Sequence, residues 1–281
     1  MSLTDRIRDC QNNKQMFLLP FVVDGNVIGH VFENFARKLS HFSDVFTVES
    51  EQVLLSKDVV GYAHRSSAIA RVLQTMRNDG VISGWRDELY PVGTVFNKPA
   101  LFEIERAAVP LFGVPGYGVH MNGWLKKNGY TYMWIAQRSM TKATGPGKLD
   151  QMVGGGQPVG MSLRDNLLKE CHEEANIPYE LAVSAKSVGT VSYKTVREEG
   201  LRNDILFNFD LEVPIDFAPK NNDGEVASFM LWEIEEVMHR LSDTDDFKFN
   251  SALVIIDFLV RHGFIDADDP DYFEVVTGLH I

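Results

Sequence analysis

Three carboxylates, Glu170, Glu173 and Glu174, stand at i, i+3 and i+4 in the stretch from Leu163 to Asn176. In a helix that spacing gathers them on one face, where like charges repel by about a few tenths of a kcal/mol per pair, and by more when half-buried. A hard divalent cation such as Mg2+ resolves the conflict because it takes carboxylate and phosphate oxygens together. The plainer alternative is a solvated acidic face. The helix these residues need is well specified. Ser162 is a good N-cap, and Asp165 lies in the first turn, where negative charge suits the helix dipole. Leu163, Leu167, Cys171 and Ala175 form an apolar stripe with Leu168 at its edge, and Glu174 falls at the border of that stripe. Asn176 tolerates the left-handed conformation, and Pro178 discourages continuation. Gly154-Gly155-Gly156 reads as a glycine-rich turn leading in.

With that turn in front of it, the stretch resembles the Nudix box, G-x5-E-x7-R-E-U-x-E-E-x-G-U, where U is bulky and apolar. Gly155 takes the first glycine, Glu170, Glu173 and Glu174 the helix glutamates, and Cys171 and Ile177 the apolar positions. Met161 replaces the first glutamate, Lys169 the arginine and Asn176 the last glycine. Lys169 keeps the charge but not the planar fork of arginine. The resemblance implies an α/β fold, the Nudix α/β/α sandwich, and metal-dependent hydrolysis of a diphosphate. It implies that Glu170, Glu173 and Glu174 hold Mg2+ or Mn2+, with the Gly155 carbonyl as a further ligand and one glutamate orienting or deprotonating water. Glu225 matches a later-loop position that often supplies another carboxylate.

Composition sets the outer bounds. At 281 residues two domains are expected, and 44% hydrophobic with 23% charged residues is ordinary for a soluble globular chain. A net charge of -12 argues against binding a nucleic-acid backbone. The two cysteines, Cys10 and Cys171, are far apart and provide no disulfide framework, which fits a reducing compartment. The polar N-terminus is not a signal peptide, and the longest apolar run, Ala252 to Val260, contains Asp257 and is too short to span a bilayer. The expectation is a cytoplasmic protein acting on a small molecule, as monomer or homodimer.

The patterning divides the chain into an accessory α+β domain at 1–108 and a Nudix domain at 109–281. The first contains a short polar helix at 4–14, a hairpin turning at Asp24-Gly25, a helix at 33–42 and one from Ser66 or Ser67 to Met76. Strand character appears near 101–104, and nothing in this unit carries a catalytic signature. Strands at 116–125 and 130–138 follow, then a polar loop from Ser139 to Lys148 that is not a Walker A motif, because Leu149 follows the lysine. Further strands are predicted at 187–196, 205–213 and 229–232, with helices at 233–241 and 250–262.

Outside the box, Gly118–Gly123, Gly147–Val153, Glu199–Asp204, Asp223–Val226 and Asp257–Gly263 resemble one Nudix branch. That branch carries an extra N-terminal domain and is related to the Nudix part of fungal thiamine pyrophosphokinase fusions. What the resemblance implies is cleavage of thiamine diphosphate, or of its oxidised analogues, to the monophosphate and phosphate. Lys148 and Arg202 are candidate phosphate ligands, and His120 and Asn122 candidates for the cleft. Each has a bland alternative as surface charge or core polarity. Trp85 and Trp232 read as core, and His172 as solvent-facing. Competing functions are a ligand sensor with a degraded box, a hydrolase of nucleoside diphosphate derivatives, and an isoprenoid diphosphate isomerase. The last is disfavoured because Cys171 lies on the core face.

Overall fold

The computed structural model describes residues 2–12 and 16–280. A capped helix α1 (Leu3–Asp9) precedes the hairpin β1 (Leu19–Val23) and β2 (Asn26–Val31). Asp24 and Gly25 turn it with φ of 50° and 78°, as an Asp-Gly hairpin turn requires. Then come α2 (Glu33–Leu39), β3 (Phe46–Val48), β4 (Val53–Leu55), α3 (Tyr62–Asn78), β5 (Leu89–Val92) and β6 (Phe102–Glu105). A 3-10 turn at Arg106–Ala108 and a single-turn helix α4 (Val109–Phe112) close this part. Four strands pair in the order β2-β1-β4-β3, while β5 and β6 form a separate pair. Phe21, Phe46, Phe102 and Phe112 interlock at ring distances of 5.0–6.5 Å within one core running from Leu19 to Val114.

α3 starts before the expected cap. Gly61 sits at its N-terminus, and Ser66 lies inside, donating to the Tyr62 carbonyl, so its hydroxyl serves the helix interior instead of its end. For the predicted helix at 4–14, α1 ends at Asp9, and residues 13–15 lie outside the described part.

The second half is built on a mixed sheet. Its strands are β7 (Pro115–Lys127), β8 (Tyr130–Arg138), β9 (Leu149–Gln151), β10 (Val153–Gly156), β11 (Lys186–Arg197), β12 (Gly200–Glu212) and β13 (Val226–Glu233). The order is β11-β12-β7-β8-β13, with β10 added to β7 and β9 to β8; β12 and β7 run parallel. On one face lie α5 (Leu163–Ala175) and the short α6 (Tyr179–Ala182), packed on Val119, Met121, Phe209 and Leu211. On the other lie α1, α7 (Ile234–Asp243), α8 (Phe249–Arg261) and α9 (Tyr272–Gly278), over Ile135, Val191, Tyr193 and Leu206. Strand alternation produces this division: Val119 and Met121 face α5, and His120 and Asn122 face α8. An α/β sandwich behind an N-terminal α+β unit is therefore the observed architecture, as the resemblance implies. Trp85 and Trp232 are partly buried against the two cores, each under an arginine, and His172 is exposed.

Gly154–Gly156 is not a turn but part of β10, in register with Gly118, Val119 and His120 of β7. The glycines are used for close approach: a Cβ on Gly155 would strike the Glu170 carboxylate, and one on Gly156 the Tyr90 hydroxyl.

Candidate active site

α5 presents its carboxylates to β10 because both of its ends are fixed. Ser162 accepts from the Asp165 amide at 3.1 Å, and Asn176 closes the helix at φ 51°. Inside the helix, buried Asn166 donates to the Gly156 carbonyl at 2.8 Å, tying helix to strand. Leu167, Cys171 and Ala175 are fully buried beneath the sheet.

Glu174 is buried, and its Oε2 accepts from the Gly154 amide at 2.8 Å. Burial pushes its carboxyl up to about 8; the Gly154 hydrogen bond opposes this and the Glu170 charge adds to it. Glu170 lies against Gly155 with only 13% of its side chain exposed. Burial raises its pKa too, against the pull of Lys169 and with a push from Glu173 and Glu225. Lys169 Nζ stands 2.9 Å from both Glu170 Oε1 and Glu173 Oε2, bridging the pair.

Glu225 reaches this group through its loop. Asn222 donates from its backbone to the Glu173 carbonyl and from its side chain to the His172 carbonyl, which pins the loop to the end of α5. The Glu225 carboxylate pairs with Lys142. Burial would raise it, but Lys142 prevails, aided by Arg106 and Arg138, and its pKa lies below the usual range. The Lys142 loop is held in turn by Arg138, which bonds the Thr144 and Gly145 carbonyls and pairs with buried Asp150 at 2.7 Å.

The chain is 44% identical over 263 residues to Nudix hydrolase 24, chloroplastic, of Arabidopsis thaliana, covering 93% of this chain and 72% of that one. It belongs to the Nudix hydrolase family. It is likewise 42% identical over 287 residues to Nudix hydrolase 20, chloroplastic, of the same plant, covering 98% and 76%. The uncharacterized protein YJR142W of Saccharomyces cerevisiae is 32% identical over 280 residues, with 92% and 81% covered. Residues 2–116 match a domain of unknown function, DUF4743. The chain is a hydrolase of the diphosphate class.

Of the residues singled out in the sequence, Gly155, Glu170, Glu173, Glu174 and Glu225 come together around α5. The others are placed elsewhere. His120 is buried beneath Gly154, bonded to Gln151, with its pKa driven down to about 3 by burial. Asn122 is fully buried and donates to Asp210 at 3.1 Å, within a network of Asp210, Asp257, Arg261 and Asn208 under α8. Lys148 pairs with Asp245 at 2.9 Å. Arg202 is held by Glu199 at 2.6 Å and Asp204 at 3.4 Å. Sequence reasoning missed Lys142, whose only signal was its place in the polar loop, and Tyr90 and Arg106, which lie in the half that shows no catalytic pattern.

A divalent cation suits the chemistry of this donor set, which is all oxygen and carries like charges that lack full compensation. Among the described residues no three His, Cys, Asp or Glu side chains converge into a metal cage as they stand. Lys169 occupies the space between Glu170 and Glu173.

Proposed function

We propose that this Nudix hydrolase splits the diphosphate of thiamine diphosphate, or of its oxidised analogues, with Mg2+ or Mn2+ bound at Glu170, Glu173 and Glu174 and the Gly155 carbonyl. The observation that carries the site assignment is Glu174, a buried carboxyl held against the Gly154 amide beside a second half-buried glutamate. The metal supplies charge neutralisation on the phosphate oxygens and lowers the pKa of water. In the reaction a water oxygen bonds to one phosphorus while the bridging P–O bond breaks. The bond pair stays on the departing phosphate oxygen, and the water proton passes to a carboxylate of the cluster. Lys169 has to leave Glu170 or Glu173 for both to take part, and its flexible stem allows that. Glu225, anchored by Lys142, supplies the carboxylate from the opposite loop.

Support for the thiamine moiety comes from the branch resemblance of the segments outside the box and from the acidic balance of -12, which suits a weakly charged or cationic heterocycle better than a polyanionic nucleotide. A cavity of about 460 Å3 beside the Gln157–Ser162 loop, lined by Phe96, Tyr117, Met161 and Leu163, offers an aromatic wall. A cytoplasmic setting is part of the same reading, supported by two free, buried cysteines. No helix among the described residues is long and apolar enough to cross a membrane.

The test is kcat/KM for thiamine diphosphate, its oxo form, ADP-ribose and a dinucleotide at one Mg2+ concentration. The thiamine compounds should lead by about tenfold or more, a difference of about 1.4 kcal/mol. An equal lead for either nucleotide would end the thiamine assignment and leave the Nudix one standing.

A further inference from the structure

The N-terminal domain touches the Nudix box directly. The Leu89 carbonyl of β5 accepts from the Val159 amide at 2.9 Å, which docks the strand on the loop before α5. From the same strand the Tyr90 side chain lies over Gly156, its hydroxyl filling the place a Cβ would take. Arg106, first residue of the 3-10 turn, is fixed by its own amide donating to the Glu88 carbonyl at 2.8 Å. Its guanidinium carbon lies 5.7 Å from the Tyr90 ring centre and 3.5 Å from the Cβ position of Gly156, the residue after Gly155. Nη1 donates to Glu88 at 2.7 Å; among the described residues the other guanidinium donors have no hydrogen-bond partner, and 45% of the side chain is exposed.

We infer that Arg106 is a phosphate-binding residue of the active site, delivered to the Nudix box by the N-terminal domain. The inference rests on the reading of the site as a diphosphate hydrolase but not on the identity of the heterocycle. A substrate with two phosphates brings negative charge to a place already crowded with carboxylates, so it needs cations besides a metal. Lys142 is committed to Glu225, Lys148 to Asp245 and Arg202 to Glu199 and Asp204. Arg106 keeps donors to spare, and a guanidinium fork fits phosphate oxygens in pairs. Its charge is felt by Glu225 and it feels that of Glu170, so the guanidinium lies within electrostatic range of both carboxylates. The bland alternative is an exposed ion pair with Glu88. Such pairs contribute little, and this one gives no reason to set a guanidinium over a glycine strand of another domain.

The experiment measures calorimetric binding of imidodiphosphate, a diphosphate that is not hydrolysed, to the full chain with Mg2+ present. Arg106→Ala should weaken binding about 10- to 100-fold, the scale of a charge-assisted hydrogen-bonded contact. Arg106→Lys, which keeps the charge and the packing stem, should fall between it and wild type, and it decides the matter if the alanine variant does not fold. Arg37→Ala, an exposed arginine on α2, should bind like wild type. Wild-type binding with both Arg106 variants unaffected would overturn the inference alone. Absence of binding by wild type would overturn the diphosphate reading of the site and the inference with it. Loss of binding in Arg37→Ala equal to that in Arg106→Ala would reduce the effect to net charge and overturn it as well.

Discussion

On the α5 side of the central sheet, Glu170, Glu173, Glu174 and Glu225 meet with two lysines among them, and burial holds two of the four carboxyls above their usual range. On the α8 side, Asp210 and Asp257 meet Arg261, and the buried amides of Asn122 and Asn208 donate to them. Both regions put carboxylates where water is scarce. Under α8 each charge is answered by a hydrogen-bonded partner, so the network fixes one packing of helix on sheet. Around α5 the carboxylates are held by a backbone amide, by Lys169 shared between Glu170 and Glu173, and by Lys142 on Glu225, so that two lysines face four carboxyls. Excess charge of one sign at a half-buried position costs stability, and such a cost is what a functional site carries.

The largest effect expected is on activity in the α5 region. Chelation by EDTA should abolish turnover and Mg2+ or Mn2+ restore it; full activity in metal-stripped protein would dissolve the contrast between the regions. Glu174→Gln keeps an acceptor for the Gly154 amide, so it should fold normally and lose turnover by about 100-fold or more, the scale for losing a main electrostatic stabiliser. A fully active variant would make the acidic face ordinary surface.

The α8 region should answer in the opposite way. Asp210→Ala leaves Asn122 without its partner and Arg261 with Asp257 alone, and should cost about 3 kcal/mol of stability in denaturant titrations. Its kcat/KM should stay within about threefold of wild type, well under the factor of ten that 1.4 kcal/mol represents. A large loss of turnover in a variant that remains folded would bring Asn122 back into the cleft.

His120 sharpens the same point through pH. Its folded pKa, about 3, lies below the ordinary 6.5, so unfolding takes up a proton as pH falls. The stability from keeping the ring neutral is present in full above 6.5 and is lost between there and 3, by about 1.4 kcal/mol per unit at most. His120→Gln should show a shallower decline over that window; parallel curves would mean that the ring is hydrated. The smallest effect belongs to Lys148→Ala, which removes a half-exposed pair with Asp245 and should shift stability by less than about 1 kcal/mol. Tenfold weaker substrate binding in that variant would restore Lys148 as a phosphate ligand.

Much of the frame was legible in the chain. Ser162, the apolar stripe from Leu163 to Ala175 and the Asn176 stop define α5, because capping and helical periodicity are interactions among near neighbours. The long alternating strands and the turn at Asp24-Gly25 were readable for the same reason. The spacing of Glu170, Glu173 and Glu174 put three carboxylates on one helix face, and only the resemblance to the Nudix box attached a chemistry to them. The glycine run misled, since nothing local distinguishes a flexible turn from an edge strand that other groups must approach closely. Asn122 and Lys148 have side chains suited to a cleft, yet what each is bonded to depends on partners 97 residues away for Lys148 and 88 for Asn122. Tertiary structure alone made those pairings, and it alone laid Tyr90 and Arg106 across Gly156, since contacts between domains arise from surfaces that exist only after each has folded.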